Sequence, residues 1–184
     1  MKRFTDAGRA CIEAGNLYAG LSLALMMPDI CASLEDPGPG KSQKRYVRWC
    51  QQWLEPKLSS TNPRTGEVRV LVTAEDCYQI RCSLVHSGSA DIDPRKAKDI
   101  GRFEFFDQTV GSHLNWIGSN TVNGVEQGGF LQLKADRFSL TIFDCADEWD
   151  ASVVGDASIQ KEKASLISIK SKGAILGGGL IRIG

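Results

Sequence analysis

A chain of 184 residues, 42% hydrophobic and 24% charged, is long enough for one domain with its own core, and this composition excludes a disordered chain. Lys plus Arg and Asp plus Glu are equal at 22 each, which excludes a molecule-wide positive field; any nucleic-acid site is a local patch or one completed by a second subunit. Six cysteines at positions 11, 31, 50, 77, 82 and 145, none in a CxxC pair, predict buried free thiols and a reducing, cytoplasmic setting.

The first helix is predicted over Thr5 to Met27, where Ala7, Ala10, Cys11, Ala14, Leu17, Tyr18, Leu21 and Leu25 recur at spacings of three and four. Gly8, Gly15 and Gly20 lower its propensity but permit close helix contact. The apolar run Leu17 to Met27 is too short to span a bilayer, so no membrane partner is expected. Pro28 interrupts the helix, and Asp29 to Leu34 forms a short continuation.

Glu35 to Ser42 follows as a loop. Its Gly40-Lys41-Ser42 does not complete a phosphate loop, because Glu35 stands where that pattern needs glycine and no strand precedes it. Ser42 is the expected cap of a helix over Gln43 to Leu54, with Tyr46, Trp49, Cys50, Trp53 and Leu54 on one face. Lys44, Arg45 and Arg48 lie on the other faces with no acid between Lys41 and Leu54, a local phosphate-binding patch or a solvated face. Pro56 ends that helix, a polar loop runs to Glu67, and Val68 to Val72 is a short apolar run.

The central helix is predicted to open at Thr73 and stop at Gly88. Thr73 and Asp76 compose a capping box, and Ala74, Cys77, Ile80, Leu84 and Val85 give the apolar stripe. Arg95, Lys96, Lys98 and Arg102 add a second basic cluster. Phe103 to Phe106, His113 to Ile117 and Phe130 to Lys134 read as strands of a small antiparallel sheet or hairpin, with Asn123-Gly124 as a turn signal. His113 reads as structural, since nothing near it in sequence resembles a site. A last helix spans Asp136 to Val154, with Asp136 as cap and Phe138, Ile142, Cys145, Trp149 and Val153 as its buried stripe. Leu166 to Ile169 and Leu180 to Ile183 read as strands. The glycines at 173 and 177 to 179 precede no helix, so they make no dinucleotide fingerprint.

The chemistry concentrates in Arg81 and His86. An Arg is always cationic and its planar fork matches phosphate oxygens; a His exchanges protons near neutral pH. Together they suffice for metal-free cleavage of RNA: the ribose 2′-OH attacks phosphorus, the His moves a proton, and the Arg stabilises charge on the phosphoryl oxygens. DNA lacks the 2′-OH and is inert to this step. The two residues are five apart, about 140° around an ideal α-helix, so they do not share a face as an i, i+4 pair would. They converge if the long Arg stem swings or the helix unwinds at His86, and a dimer would bring two copies of the motif to a shared groove. Cys77, Cys82 and His86 do not compose a zinc set, because the two thiols point to different sides and no second ligand pair follows.

Arg81-Cys82-Ser83-Leu84-Val85-His86 resembles the R-x4-6-H motif of HEPN domains (higher eukaryotes and prokaryotes nucleotide-binding). That resemblance implies a mainly α fold: a HEPN-like helical bundle with a small antiparallel β element, a single domain over residues 1–184. The β-like insert at about 103–134 and the glycine-rich tail at about 171–184 fall outside the likeness. It further implies a metal-independent endoribonuclease of defence or toxin type, with Arg81 and His86 as catalytic pair and no cofactor. Ser83 and Tyr78 are the accessory hydrogen-bonding candidates. The partners implied are RNA or a nucleotide, a second copy in a homodimer, and a cognate antitoxin or other protein. Cys82 stands where the family commonly carries Asn, Asp or His. The alternative is a non-catalytic helical module that binds a nucleotide, RNA or a partner protein.

Overall fold

The computed structural model describes residues 1–87, 103–109, 111–118, 120–122, 125–127 and 129–169, with 86–87, 120, 122 and 125–127 described by backbone alone. The chain is mainly α. The first expected helix is two: α1 (Lys2–Glu13) and α2 (Leu17–Glu35). The apolar spacing runs on across the break, but Gly15 takes a left-handed φ of +75° and the Asn16 side chain accepts the Ala19 N–H at 3.4 Å, capping α2.

Pro28 does not interrupt α2. An interior proline costs about 3 kcal/mol. Leu25, Met27, Cys31 and Leu34 around it are all buried, and burying one Leu or Met side chain returns about 1.5–3 kcal/mol. Packing therefore outweighs the lost backbone bond. By length and composition alone α2 is apolar enough to cross a bilayer, longer than the Leu17–Met27 run implied; here half of it is buried, and it packs against α1 and against later helices.

The third helix, α3 (Ser42–Trp49), has Lys41 rather than Ser42 at its N-cap, with no side-chain cap bond. It widens into a π turn at Cys50–Leu54 and tightens into a 3-10 turn at Glu55–Leu58, so Pro56 sits inside a helical turn and does not end one. Strands β1 (Ser59–Thr61) and β2 (Val68–Val70) form an antiparallel hairpin, with Ser60 opposite Arg69. Helix α4 (Ala74–Cys82) follows, and then a second π turn at Ser83–Ser87. Gly88 and the basic cluster Arg95, Lys96, Lys98 and Arg102 lie outside the described residues.

The β section is β3 (Phe103–Phe106), β4 (Asn115–Ile117), β5 (Asn120–Val122), β6 (Val125–Gln127) and β7 (Phe130–Lys134). The strands β5 and β6 pair antiparallel on either side of positions 123–124, which lie outside the described residues. The three strands read from the sequence do not make a purely antiparallel sheet. In the order β3-β7-β4, β3 runs parallel to β7 and β4 antiparallel to it. Central strand β7 has Leu131, Gln132 and Leu133 buried in succession, as a strand covered on both faces requires.

The strand β7 runs straight into α5 (Ala135–Ser152), whose N-cap is Lys134, so Asp136 is a first-turn acid and not the cap. Phe138, Ile142, Cys145 and Trp149 form its buried stripe as expected. A further helix, α6 (Ala157–Ala164), was not legible as such; Asp156 caps it, accepting the Ser158 and Ile159 N–H groups at 2.9 and 3.0 Å. Leu166 to Ile169 is not a strand: Ile167 and Ile169 are exposed, and no partner strand lies beside them among the described residues. Leu180 to Ile183 and the tail glycines lie outside those residues. The core joins α2, α3, α4 and α5 around Trp49, Trp149, Tyr46, Phe138 and Phe143, all fully buried.

Candidate functional site

The capping box at the start of α4 is fully made. Asp76 N–H donates to Thr73 Oγ1 at 3.2 Å, and Asp76 Oδ2 accepts Thr73 N–H at 3.1 Å and the Thr73 hydroxyl at 2.6 Å. Glu55 Oε2 accepts the Ala74 N–H at 2.9 Å, satisfying another first-turn donor. Ala74, Cys77 and Ile80 are buried, Leu84 packs at the core margin and Val85 is exposed. This anchoring holds Arg81 in the last turn of a rigid element.

Arg81 is neither solvent-borne nor locked in the core; its side chain is 20% exposed. Its Nε donates to Asp29 Oδ2 at 2.9 Å, and the Asp29 side chain is 24% exposed. Burial works most strongly on the guanidinium and against its charge, but Asp29 and the Cys82 contact together more than offset it and the pKa of Arg81 moves up. Asp29 directly follows Pro28, where α2 lacks a backbone donor. One residue beyond Ala24, whose i+4 partner Pro28 has no N–H to donate, the Leu25 carbonyl accepts the Tyr46 hydroxyl at 3.3 Å. Tyr46 in turn meets Tyr78 edge-on, with ring centroids 5.4 Å apart. Tyr78 and Arg81 both contact Cys82, and partial burial followed by that thiol contact raises the Tyr78 phenol. Ser83 is buried and has an interaction partner.

The backbone from Ser83 to Ser87 changes the spacing argument. A π turn bonds i to i+5, so a residue comes to lie over the one five before it. Position 86 is thereby drawn back toward the face of position 81 from the 140° of an ideal α-helix. The imidazole of His86 lies outside the described side chains. Beside this turn, Leu84 joins Leu17, Tyr18, Leu21, Phe105 and Phe106 around an apolar cavity of about 220 Å³.

Arg45 and Arg48 of α3 lie over the C-terminal end of α2. Arg45 Nη1 donates to the carbonyls of Asp36 and Gly38 at 2.7 and 2.8 Å, bracing the helix end. Arg48 is 3.9 Å from Glu35 and 3.8 Å from Asp36, and Lys41 is 3.4 Å from Asp36. Lys44 is exposed. The structure does not bring this row together with Arg81: Arg45 and Arg48 are held at the C-terminal end of α2, and Arg81 meets the helix nearer its middle.

The remaining reactive types are structural. His113 Nδ1 accepts the Lys134 N–H at 3.1 Å, tying the loop before β4 to the end of β7; burial first, then Arg137, lowers its pKa. All six cysteines are free. Burial raises Cys31 and Cys50, and pushes Cys145, whose Sγ donates to the Trp53 carbonyl at 3.1 Å, up to about 12. Such thiols pack as small apolar groups and are poor nucleophiles. Among the described residues no group of His, Cys, Asp and Glu is arranged to hold a metal.

Sequence reasoning missed Asp29, although a signal was present. Asp29 is the only charged residue between Glu13 and Glu35, and a lone carboxylate in so apolar a stretch calls for a cationic partner. No family model, curated protein or solved structure matches the chain.

Proposed function

We propose that this chain is a HEPN-like, metal-independent endoribonuclease in which Arg81 stabilises the phosphoryl charge and His86 transfers protons. The observation that carries the reading is the π turn Ser83–Ser87, which supports a common face for positions five apart. Isolated π turns occur often at functional sites. Asp29 acts through Arg81: held at Nε, the guanidinium keeps a fixed plane and a permanent charge. The 2′-OH of the substrate is the nucleophile: it loses its proton and bonds phosphorus as the P–O5′ bond breaks. The departing 5′-oxygen takes up a proton, leaving a 2′,3′-cyclic phosphate and a 5′-hydroxyl, so the protein supplies positioning, charge and proton transfer only. Lys44 and Arg48 serve as outlying phosphate contacts, with Arg45 held at the loop. In this reading the protein works in the cytoplasm as a homodimer of defence or toxin type, restrained by a partner protein.

A second reading has a specific observation in its favour. The Asp29 carboxylate offsets the Arg81 charge, as in a helical module that binds RNA or a nucleotide without cutting it. Purified protein incubated with mixed RNA in EDTA separates the two. The first predicts cutting by wild type and none by His86→Ala. Binding without cutting, weakened in Arg81→Ala, would support the second and overturn the first.

A further inference from the structure

The β1–β2 hairpin and the residue entering β4 enclose a cleft of about 690 Å³, lined among others by Ser60, Thr61, Arg64, Arg69 and Leu114. Strand alternation explains the lining. Ser60 and Arg69 are register partners and share a face, and Leu71, two residues beyond Arg69, continues it. Asn62 folds the hairpin loop so that Arg64 turns back over the cleft: its Oδ1 accepts the Arg64 and Thr65 N–H groups at 2.9 and 3.3 Å.

Two features set the cleft apart from ordinary surface. Arg9, Arg48 and Arg81 each lie against carboxylates, whereas Arg64 and Arg69, like Arg3, Arg45 and Arg137, form no ion pair among the described residues, and Arg64 and Arg69 line this one cleft together. Two exposed guanidiniums thus face one volume whose lining, among the described residues, has a single carboxylate, Glu67. Leu114, which also lines the cleft, holds a left-handed φ of +54° while its side chain packs on the core. For a residue other than glycine that conformation costs about 1–3 kcal/mol, and such strain gathers where a ligand is met.

We propose that this cleft binds a nucleoside phosphate, free or within an RNA strand. Arg64 and Arg69 hold the phosphate as paired forks. The Ser60 hydroxyl bonds the sugar, and Leu71 and Leu114 underlie the base. The volume falls within the roughly 300–1,000 Å³ of small-molecule sites. The assignment does not depend on cleavage at Arg81 and His86.

The test titrates ATP and, in a His86→Ala background, a short single-stranded RNA into the full chain in EDTA at low salt. At least one of them is expected to saturate, and Arg64→Ala with Arg69→Ala to weaken it about tenfold or more at an unchanged melting temperature. Removing equal charge elsewhere, with Lys2→Ala and Arg3→Ala, leaves binding intact. Saturation by ATP assigns a free nucleotide, and saturation by RNA alone assigns a strand. If neither saturates, or if the hairpin variant binds like wild type or no worse than the charge control, the proposal is overturned.

Discussion

Asp29 and Arg81 are 52 residues apart and meet across the α2–α4 contact at 2.9 Å. Thr73 and Asp76 are three apart and their pairing was legible, because a capping box is a local pattern. The longer pairing was not, because nothing within one turn of Arg81 names its partner. Both side chains are about one-fifth to one-quarter exposed, between a surface pair worth little and a buried pair that is costly to break. Asp29→Ala is therefore expected to lower unfolding free energy by about 1–2 kcal/mol, read by denaturant titration. Asp29→Ala together with Arg81→Leu is expected to recover much of that loss. A double variant as unstable as the sum of its singles would contradict the pairing.

At the scale of elements, the surprises are places where a turn changes width or direction without a change in apolar pattern. Gly15 and Asn16 split one expected helix into α1 and α2, although Ala14, Leu17 and Leu21 continue the spacing. Both π turns fall inside segments read as uniform helix, because one extra residue in a turn leaves a stripe of threes and fours nearly unaltered. The proposed function rests on the turn at Ser83–Ser87. Deleting Val85, which is exposed, shortens that turn by one residue and leaves Arg81 and the histidine four apart, neighbours on a regular α-helix. The deletion is expected to retain RNA cleavage and helical circular dichroism. Insertion of an alanine after Val85 is expected to abolish cleavage. Loss of activity in the folded deletion variant would contradict the shared face.

The whole molecule is the mainly α chain its periodic stripes indicated, with Phe138, Ile142, Cys145 and Trp149 of α5 buried as read. Sheet order was not legible, since the parallel pairing of β3 with β7 depends on how residues between them turn and not on either strand's pattern. The close approach of α1 to α5 was only half visible, as a glycine without a named neighbour. A Cβ at Gly8 would lie 2.0 Å from the fully buried Phe143 ring. Gly8→Ala gains about 1 kcal/mol of helix propensity but incurs about 1–3 kcal/mol of overpacking. A lower melting temperature is expected, recovered when Phe143→Leu is added; a higher one in the single variant would contradict the packing.

The account of function comes down to one chemical end group. RNA digested in EDTA by wild-type protein is predicted to yield fragments ending in 2′,3′-cyclic phosphate, read by mass spectrometry. The same sequence with 2′-O-methyl ribose is predicted to stay intact, as is RNA treated with His86→Ala. Fragments ending in a 3′-hydroxyl, cutting of the methylated strand, or equal cutting by His86→Ala would contradict it.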